Sequence, residues 1–299
     1  MHEIPALIID LTIILVIAAG TTLLCKKIHL PSVLGYILAG FLAGPVVDFL
    51  PTIQDRGGIE VWSDIGVIFL MFGLGLEFSF KKMLNVGKSA MITANANILF
   101  MLFLGYYTGL LLGWSTTDSF FLGSMISMSS TTIIIKAFDD LNIKKQKFTD
   151  LVFGVLVIED LVGILLLVLL PMVALGQSIN GGELALSTFK LLSFLILCFV
   201  IGIYIVPTVL KKLTSFLNDE MLLLITVGMC FGMVWLATAS GFSSALGAFL
   251  MGSVLSETGL IMRIENVVRP LKDFFGAVFF VSVGMMVDPA VFVTYAGPI

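Results

Sequence analysis

Glu159 and Asp160 stand side by side in the apolar segment VIEDLVG, residues 157–163. A helix predicted over 149–175 is long enough to cross a bilayer, and it places Asp160 roughly 16 Å from its start at about 1.5 Å per residue. A carboxylate at that depth costs about 2.5 kcal/mol or more, which indicates a site for protons or metal cations. Because neighbouring helical residues point about 100° apart, we expect one carboxylate, with Asp160 the main candidate, to line an ion cavity and the other to meet a neighbouring helix. The alternative is a buried carboxylate that only bonds Ser or Thr of another helix.

The preceding apolar stretch, 119–138, contains a dense group of hydroxyl side chains: Ser124, Ser127, Ser129, Ser130, Thr131 and Thr132. Hydroxyl groups at this density compete with the backbone for hydrogen bonds, so the helix can unwind at mid-depth and free carbonyl oxygens for a cation. Small residues of this kind also serve close helix packing, which is the alternative interpretation. The predicted cation and proton site therefore consists of Asp160, Glu159, Ser129, Ser130, Thr131 and Thr132.

Lys136 lies about one turn beyond the last of these hydroxyl-bearing residues, Thr132. Its side chain either extends to the membrane interface or acts as a counter-charge to the carboxylates. Three further acidic residues lie at span ends near Lys clusters, where a solvated surface position is expected: Glu77, Asp139 and Asp140. Three residues receive no role: Glu3, Asp10 and His29.

The composition excludes a water-soluble domain. Hydrophobic residues make up 59% of the chain and charged residues only 12%, against roughly 25% charged in a soluble domain. The apolar blocks are long and lack the alternation of a β-barrel, so the spans are predicted to be helices. The first block, from Leu7 to Leu24, has no cleavage-site pattern and is interpreted as a retained span.

Several function classes find no support in the sequence. The three cysteines lack the spacing of a disulfide framework or a metal site. Neither a Walker loop nor a dinucleotide-binding GxGxxG motif follows a strand, so no enzyme activity and no cofactor are expected. Basic residues are confined to particular loops, and no nucleic-acid partner is expected.

Hydropathy predicts about ten membrane spans. They are placed at 7–24, 32–50, 61–80, 90–112, 119–138, 149–175, 187–209, 220–239, 243–257 and 273–288. If the connections alternate between sides, 13 of the 16 basic residues fall on one side: Lys26, Lys27, Lys81, Lys82, Lys88, Lys144, Lys145, Lys147, Lys211, Lys212, Arg263, Arg269 and Lys272. The positive-inside rule makes that side cytoplasmic and puts the N-terminus outside, in a bacterial-type inner membrane.

Two stretches of the chain resemble each other. LGYILAG at 34–40, followed by GVIFLMFG at 66–73, is echoed by LGAFLMG at 246–252 and GAVFFVSVG at 276–284. The loop assignment gives the copies opposite orientations, the pattern of alternating-access transporters. We predict a first repeat at about 31–175 and a second at about 243–299. The second repeat stops before the counterpart of the carboxylate span, which predicts a longer chain with two or three further spans and additional sequence after them.

These motifs together resemble one family. The segment LPSVLGYILAGFLAGP at 30–45, the helix at 66–77, SSTT at 129–132, the Glu159-Asp160 pair and FFVSVGM at 279–285 are similar to the Kef-type branch of the monovalent cation:proton antiporter-2 family. The resemblance implies an all-α, polytopic transmembrane bundle of two inverted repeats with discontinuous core helices. It further implies that Asp160 binds the cation and the proton in alternation, that the protein is a homodimer, and that a nucleotide-binding regulatory domain or subunit acts on it.

The expected function is exchange of K⁺ or Na⁺ for protons across a lipid bilayer. Three rivals remain open from the sequence. One is a ligand-gated potassium efflux channel on the same scaffold, another is a sodium-coupled solute symporter, and a third is a membrane sensor that transports nothing. The sequence leaves the choice between K⁺ and Na⁺, and the stoichiometry, undecided.

Overall fold

The computed structural model describes residues 6–44, 56–77, 87–130, 134, 138, 147–174 and 218–287, and parts of 193–212. Nine named helices lie within these residues, and none of the residues forms a strand. The helices are α1 (Ala6–Lys27), α2 (Ser32–Ala43), α3 (Arg56–Glu77), α4 (Lys88–Leu111), α5 (Thr116–Ile126), α6 (Lys147–Ala174), α7 (Asp219–Ala239), α8 (Ser244–Ser256) and α9 (Ile261–Met285). Residues 204–210 are also helical and overlap the end of the predicted span at 187–209.

The largest difference from the predicted spans is at α9, which begins at Ile261 rather than at 273. Charged residues in its first half lower the hydropathy there, but they do not prevent a helix. The Arg269 guanidinium donates to Glu265 Oε1 at 3.0 Å, one turn away on the same helix. Hydropathy locates the apolar part of a helix, whereas backbone hydrogen bonding sets its full length.

Sharp turns after α1, α4 and α7 share one hydrogen-bonding pattern. After α1, the Leu30 N–H donates to Cys25 O at 2.9 Å and the His29 N–H donates to Lys26 O at 3.2 Å. This is the Schellman arrangement, which requires a left-handed residue just past the helix. His29 takes that conformation with φ 62°, whereas glycines supply it after α4 and α7. Such turns let each helix reverse direction within a few residues.

The chain forms two compact units. The first unit contains Met1–Glu77 and Gly202–Ile299, and therefore α1, α2, α3, α7, α8 and α9. The second unit contains Phe78–Ile201 and therefore α4, α5 and α6.

Close backbone contacts join the helices of the first unit in reciprocal pairs. α2 packs on α9 and α8 packs on α3. A Cβ atom at Gly40 would overlap the Val281 carbonyl oxygen and approach Gly284, and a Cβ atom at Gly252 would overlap the Phe72 carbonyl oxygen and approach Gly75. Reciprocal crossing of this kind is expected of the inverted repeats predicted from the sequence.

The contacts also show which glycines of the two similar stretches occupy equivalent positions. Gly75 makes the contact with α8 that Gly284 makes with α2. Gly73 instead accommodates the aliphatic part of Lys272, whose Nζ lies 3.6 Å from Glu77 Oε1.

One face of α1 packs into a hydrophobic cluster of the first unit. Ile14 and Ala18 lie there with Ile59 of α3 and Val281 of α9. Asp10 lies one turn before Ile14 and is fully buried as well. The sequence assigned Asp10 no role, and its burial identifies it as part of the packed face of α1.

An ion pair joins the beginnings of α7 and α9. Arg263 Nε donates to Asp219 Oδ1 at 2.7 Å. Because α7 and α9 start next to each other, α8 must run back from the far end of α7 to the start of α9. This direction is the one that the predicted alternation of the connections requires. Both side chains are largely exposed, so the pair contributes little to stability.

Candidate functional site

The helix that precedes the carboxylate pair is interrupted. α5 begins at a Ser115 cap, whose hydroxyl oxygen accepts from the Asp118 N–H at 3.1 Å, and it ends at Ile126. Residues 127–130 are not helical. Helical hydrogen bonding is seen again where the Ile134 N–H donates to Ser130 O at 3.1 Å. The interruption therefore falls within the hydroxyl-rich segment, as the sequence predicted.

Serine hydroxyls at this interruption bond to the backbone of α5. The Ser127 hydroxyl donates to Ser124 O at 2.8 Å, and the Ser124 hydroxyl donates to Phe120 O at 2.8 Å. Such bonds compete with the regular pairing of helical carbonyls, and they concentrate where a helix bends or ends. The local sequence thus explains why the helix stops here.

The carboxylate pair lies midway along the 28-residue helix α6. Glu159 is buried with only 1% of its surface exposed, whereas Asp160 is half-buried. α6 packs against both α4 and α5. Glu159 is therefore enclosed by neighbouring helices, whereas part of the Asp160 surface remains exposed.

Two different elements donate hydrogen bonds to Glu159. Its Oε1 accepts from Asn97 Nδ2 of α4 at 2.8 Å, and its Oε2 accepts from the Ser129 backbone N–H at 3.2 Å. Both carboxylate oxygens are thus engaged, one by a side chain and one by the interrupted segment. Glu159 joins three elements of the second unit at one point.

Asn97 is the residue that sequence reasoning missed. It belongs to the run TANAN at 93–97 in an otherwise apolar helix, and two amides there were a usable signal. Asn95 donates to Met91 O of its own helix at 2.8 Å and is exposed. Only the Glu159 contact distinguishes Asn97 from Asn95, and that contact is a tertiary one.

The remaining predicted site residues are described in part. Ser129 is half-buried and Ser130 is exposed at the end of the interruption. Thr131, Thr132 and Lys136 lie outside the described residues, as do Asp139 and Asp140. Within the described residues, no group of three or more His, Cys, Asp or Glu side chains is arranged to hold a metal ion.

Gly163 brings α6 close to the interrupted segment. It lies one turn after Glu159, and a Cβ atom there would be 2.5 Å from Met128 Cε. Gly123 of α5 makes a tighter approach, because a Cβ atom there would overlap the Leu102 carbonyl oxygen of α4. The first contact is to the far end of a flexible side chain, and the second is to backbone.

We expect Gly163→Ala to be tolerated, because Met128 can take another rotamer. The free energy of unfolding should change by less than about 1 kcal/mol. Gly123→Ala should destabilise by about 2 kcal/mol or more, because two helix backbones must separate. Thermal unfolding of the detergent-solubilised variants measures both. Equal losses would show that Met128 is as rigid as the α4 backbone.

Four helices within the described residues are long and apolar enough to cross a membrane: Leu7–Lys27, Gly57–Glu77, Lys88–Leu111 and Asp219–Ala239. Two shorter apolar helices are Ser32–Ala43 and Ser244–Ser256. A carboxylate beside an interrupted helix is a feature of ion-coupled membrane transporters, and reciprocal helix crossings such as those of the first unit are found in them too. The fold and the site therefore define a multi-pass membrane protein of the secondary-transporter class.

The chain belongs to the family described as the transmembrane sodium/hydrogen exchangers, whose pattern matches residues 12–299. The K⁺/H⁺ antiporter subunit KhtU of Bacillus subtilis is 32% identical over 95% of this chain and 71% of its own length. The K⁺ efflux antiporter 5 of Arabidopsis thaliana is 31% identical over 94% of this chain. The chain spans only 50% of that plant protein. These relatives confirm the resemblance inferred from the motifs.

A solved structure shares the fold. The sodium proton antiporter MjNhaP1 from Methanocaldococcus jannaschii matches 98% of this chain and 73% of its own chain, with a TM-score of 0.69 at 17% sequence identity. The predicted all-α antiporter-like fold is therefore confirmed.

Proposed function

We propose that the protein exchanges a monovalent cation, K⁺ or Na⁺, for protons across the membrane, with Asp160 as the exchange site. The observation that carries this proposal is the half-buried Asp160 at the middle of α6, next to a Glu159 that is bonded to the interruption after α5. Relatives named K⁺/H⁺ and sodium proton antiporters support it. The function is transport rather than enzymatic catalysis, and the cation and the proton are its substrates.

The mechanism is competition for one carboxylate. A carboxylate held away from bulk water must be neutralised, and either a proton or a dehydrated cation does so. The neutral, loaded site can pass between two orientations, whereas the bare anion resists that movement. Because the site must always be occupied when it moves, the proton flux and the cation flux are coupled.

Oxygen ligands for the cation come from the interrupted segment in this proposal. The hydroxyl and carbonyl oxygens of four consecutive residues would surround the cation together with Asp160, with Glu159 beside them: Ser129, Ser130, Thr131 and Thr132. Neutral oxygens of this kind replace the water that a cation loses on entry. Lys136 is proposed as a counter-charge to the empty site, or as an interfacial side chain.

The proposal extends to topology and assembly. Residues 1–299 form a transmembrane domain with a first repeat at about 31–175 and a second at about 243–299. The distribution of basic residues puts the N-terminus outside in a bacterial-type inner membrane. The Arg263–Asp219 pair agrees with the predicted alternation of the connections between the two sides, because it brings the starts of α7 and α9 together. A homodimer with a nucleotide-binding regulatory domain or subunit is the assembly we propose.

A proteoliposome assay tests the function. Full-length protein is reconstituted with an internal pH-sensitive dye at acidic internal pH, and KCl, NaCl or choline chloride is then added outside. We expect K⁺ or Na⁺ to raise the internal pH, and choline to leave it unchanged, because choline is too large to replace a proton at a carboxylate. The response should persist when ionophores hold the membrane potential at zero.

The same assay separates the rivals. A channel would carry cation current without a proton counter-flux at zero potential. A symporter would require an organic solute, and a sensor would show no flux with any salt. Each of these outcomes would reject exchange as the function.

A further inference from the structure

We propose that Asn97 is a positioning residue, which together with the Ser129 N–H holds the Glu159 carboxylate so that the interrupted segment stays fixed beside Asp160. We call the set of Asn97, Glu159 and the Ser129 N–H the Glu159 tether. The inference rests on the proposed function, and it assigns Glu159 a role different from that of Asp160. In this view Asp160 binds the exchanged ions, whereas Glu159 keeps their ligands in place.

The burial of Glu159 is the first argument. Its side chain is 1% exposed, and each carboxylate oxygen already accepts a hydrogen bond from a different element. An acidic group enclosed in this way is stable only while its donors remain. A cation that enters and leaves in each cycle would have to displace these bonds at Glu159, whereas Asp160 is only half-buried.

The hydrogen bonds of the interruption are the second argument. The Ser127 N–H donates to Gly123 O at 3.1 Å, and the Met128 N–H donates to Met125 O at 3.4 Å, so these two donors are satisfied by α5 itself. The Ser129 N–H points instead to Glu159 Oε2 at 3.2 Å. A backbone donor that is not paired within a helix needs another partner, and here the partner is a carboxylate on another helix. Glu159 therefore sets where the chain runs after α5 ends.

Asn97 supplies the third argument. Its Nδ2 bonds Glu159 Oε1 at 2.8 Å, which fixes the rotation of the carboxylate about its own axis. With Oε1 held by α4, Oε2 is aimed at the Ser129 N–H. Loss of the amide would leave Oε1 buried without this donor and free the carboxylate to turn. Misplacement of ligands by about 1 Å can cost up to about a hundredfold in rate or affinity.

The test compares variants that break the Glu159 tether with one that exchanges the amide and the carboxylate between positions 97 and 159. Asn97→Leu keeps the volume and removes the donor. Glu159→Leu removes both acceptors. The double variant Asn97→Asp with Glu159→Gln keeps both bonds. The amide nitrogen at position 159 donates to the carboxylate at position 97, and the amide oxygen at position 159 still accepts from the Ser129 N–H. Asn95→Leu is the matched control, since Asn95 bonds only its own helix among the contacts described for it.

We expect Asn97→Leu and Glu159→Leu to raise the KM for the cation about tenfold or more, because a hydrogen bond to a charged group is lost, with a smaller effect on the maximal rate. The double variant should return to within about threefold of the wild type. Asn95→Leu should leave KM unchanged. A role in overall folding alone would not predict a KM effect that the reversed pair restores.

Hydrogen exchange of the peptide that covers residues 127–130 gives a second readout that does not depend on transport. The Ser129 amide should exchange faster in both single variants, and it should be protected again in the double variant. Unchanged exchange in Glu159→Leu would overturn the tether. Should Asn97→Leu not accumulate, the double variant and Glu159→Leu still decide the matter.

The outcomes keep the two proposals apart. If the double variant is as impaired as Glu159→Leu while wild type exchanges ions, then Glu159 is needed for its charge, and the positioning role is wrong although the antiport function stands. If wild type exchanges no ions but its Ser129 amide follows the pattern above, the tether stands and the proposed function fails.

Discussion

Asp160→Asn is expected to abolish cation-dependent proton flux in proteoliposomes, with a residual rate below about one hundredth of the wild type. An amide is similar in size to the carboxylate but does not ionise near neutral pH, so it cannot alternate between a bound proton and a bound cation. Because Asp160 sits at the middle of α6, we expect no other ionisable group of the helix to take over its role except Glu159, whose two oxygens are already hydrogen-bonded. Dye fluorescence after a K⁺ or Na⁺ pulse measures the effect.

A matched control for Asp160→Asn is Asp64→Asn. Asp64 is an exposed carboxylate on the long apolar helix α3, and its loss removes the same charge from a different span. We expect that variant to transport at the wild-type rate. Flux at the wild-type level in Asp160→Asn, with normal amounts of folded protein, would reject Asp160 as the exchange site.

Gly40→Leu is expected to prevent folding of the first unit. A side chain at this position would overlap the Val281 carbonyl oxygen, and a rigid backbone group cannot move aside as a side chain can. The α2 and α9 helices would have to separate, and Ile14, Ala39 and Ala43 would lose contacts in the same cluster. We expect a loss of more than about 4 kcal/mol in the free energy of unfolding.

Gly20→Leu provides the contrast for this second prediction. Gly20 lies on α1, and no atom comes within 4 Å of the position a Cβ would take. The substitution should keep or slightly increase helix stability, because leucine favours a helix by up to about 1 kcal/mol over glycine. The amount of protein in the membrane and its thermal unfolding in detergent would compare the two variants. Equal accumulation of both would show that α2 and α9 can repack without the close contact.

Much of this architecture follows from local sequence alone. Continuous apolar blocks specify helices because a backbone in lipid must satisfy its own hydrogen bonds. The cluster of Ser and Thr residues at 124–132 correctly located the interruption after Ile126, since the competing serine hydroxyls are neighbours in the chain. The acidic pair was located for a similar reason, because an ionisable residue in an apolar block is visible without any partner.

Other features depended on contacts that the sequence does not show. The sequence did not show which glycines occupy equivalent positions: Gly75 makes with α8 the contact that Gly284 makes with α2. The start of α9 at Ile261 was missed because charges along a helix lower hydropathy without ending the helix. Asn97 and Asn95 look equivalent in sequence, although only one of them faces Glu159.

The sequence by itself determined that this protein crosses a membrane as helices, that one helix is broken, and that an Asp and a Glu lie at the middle of another. These are one-dimensional properties of hydropathy and hydrogen-bonding capacity. Only the tertiary structure decided how the two acids differ. Glu159 is enclosed by Asn97 and the Ser129 N–H, whereas Asp160 stays half-buried. The reason is that the packing of α4 and α5 against α6 brings Asn97, 62 residues away in the chain, and Ser129, 30 residues away, within hydrogen-bonding distance of Glu159.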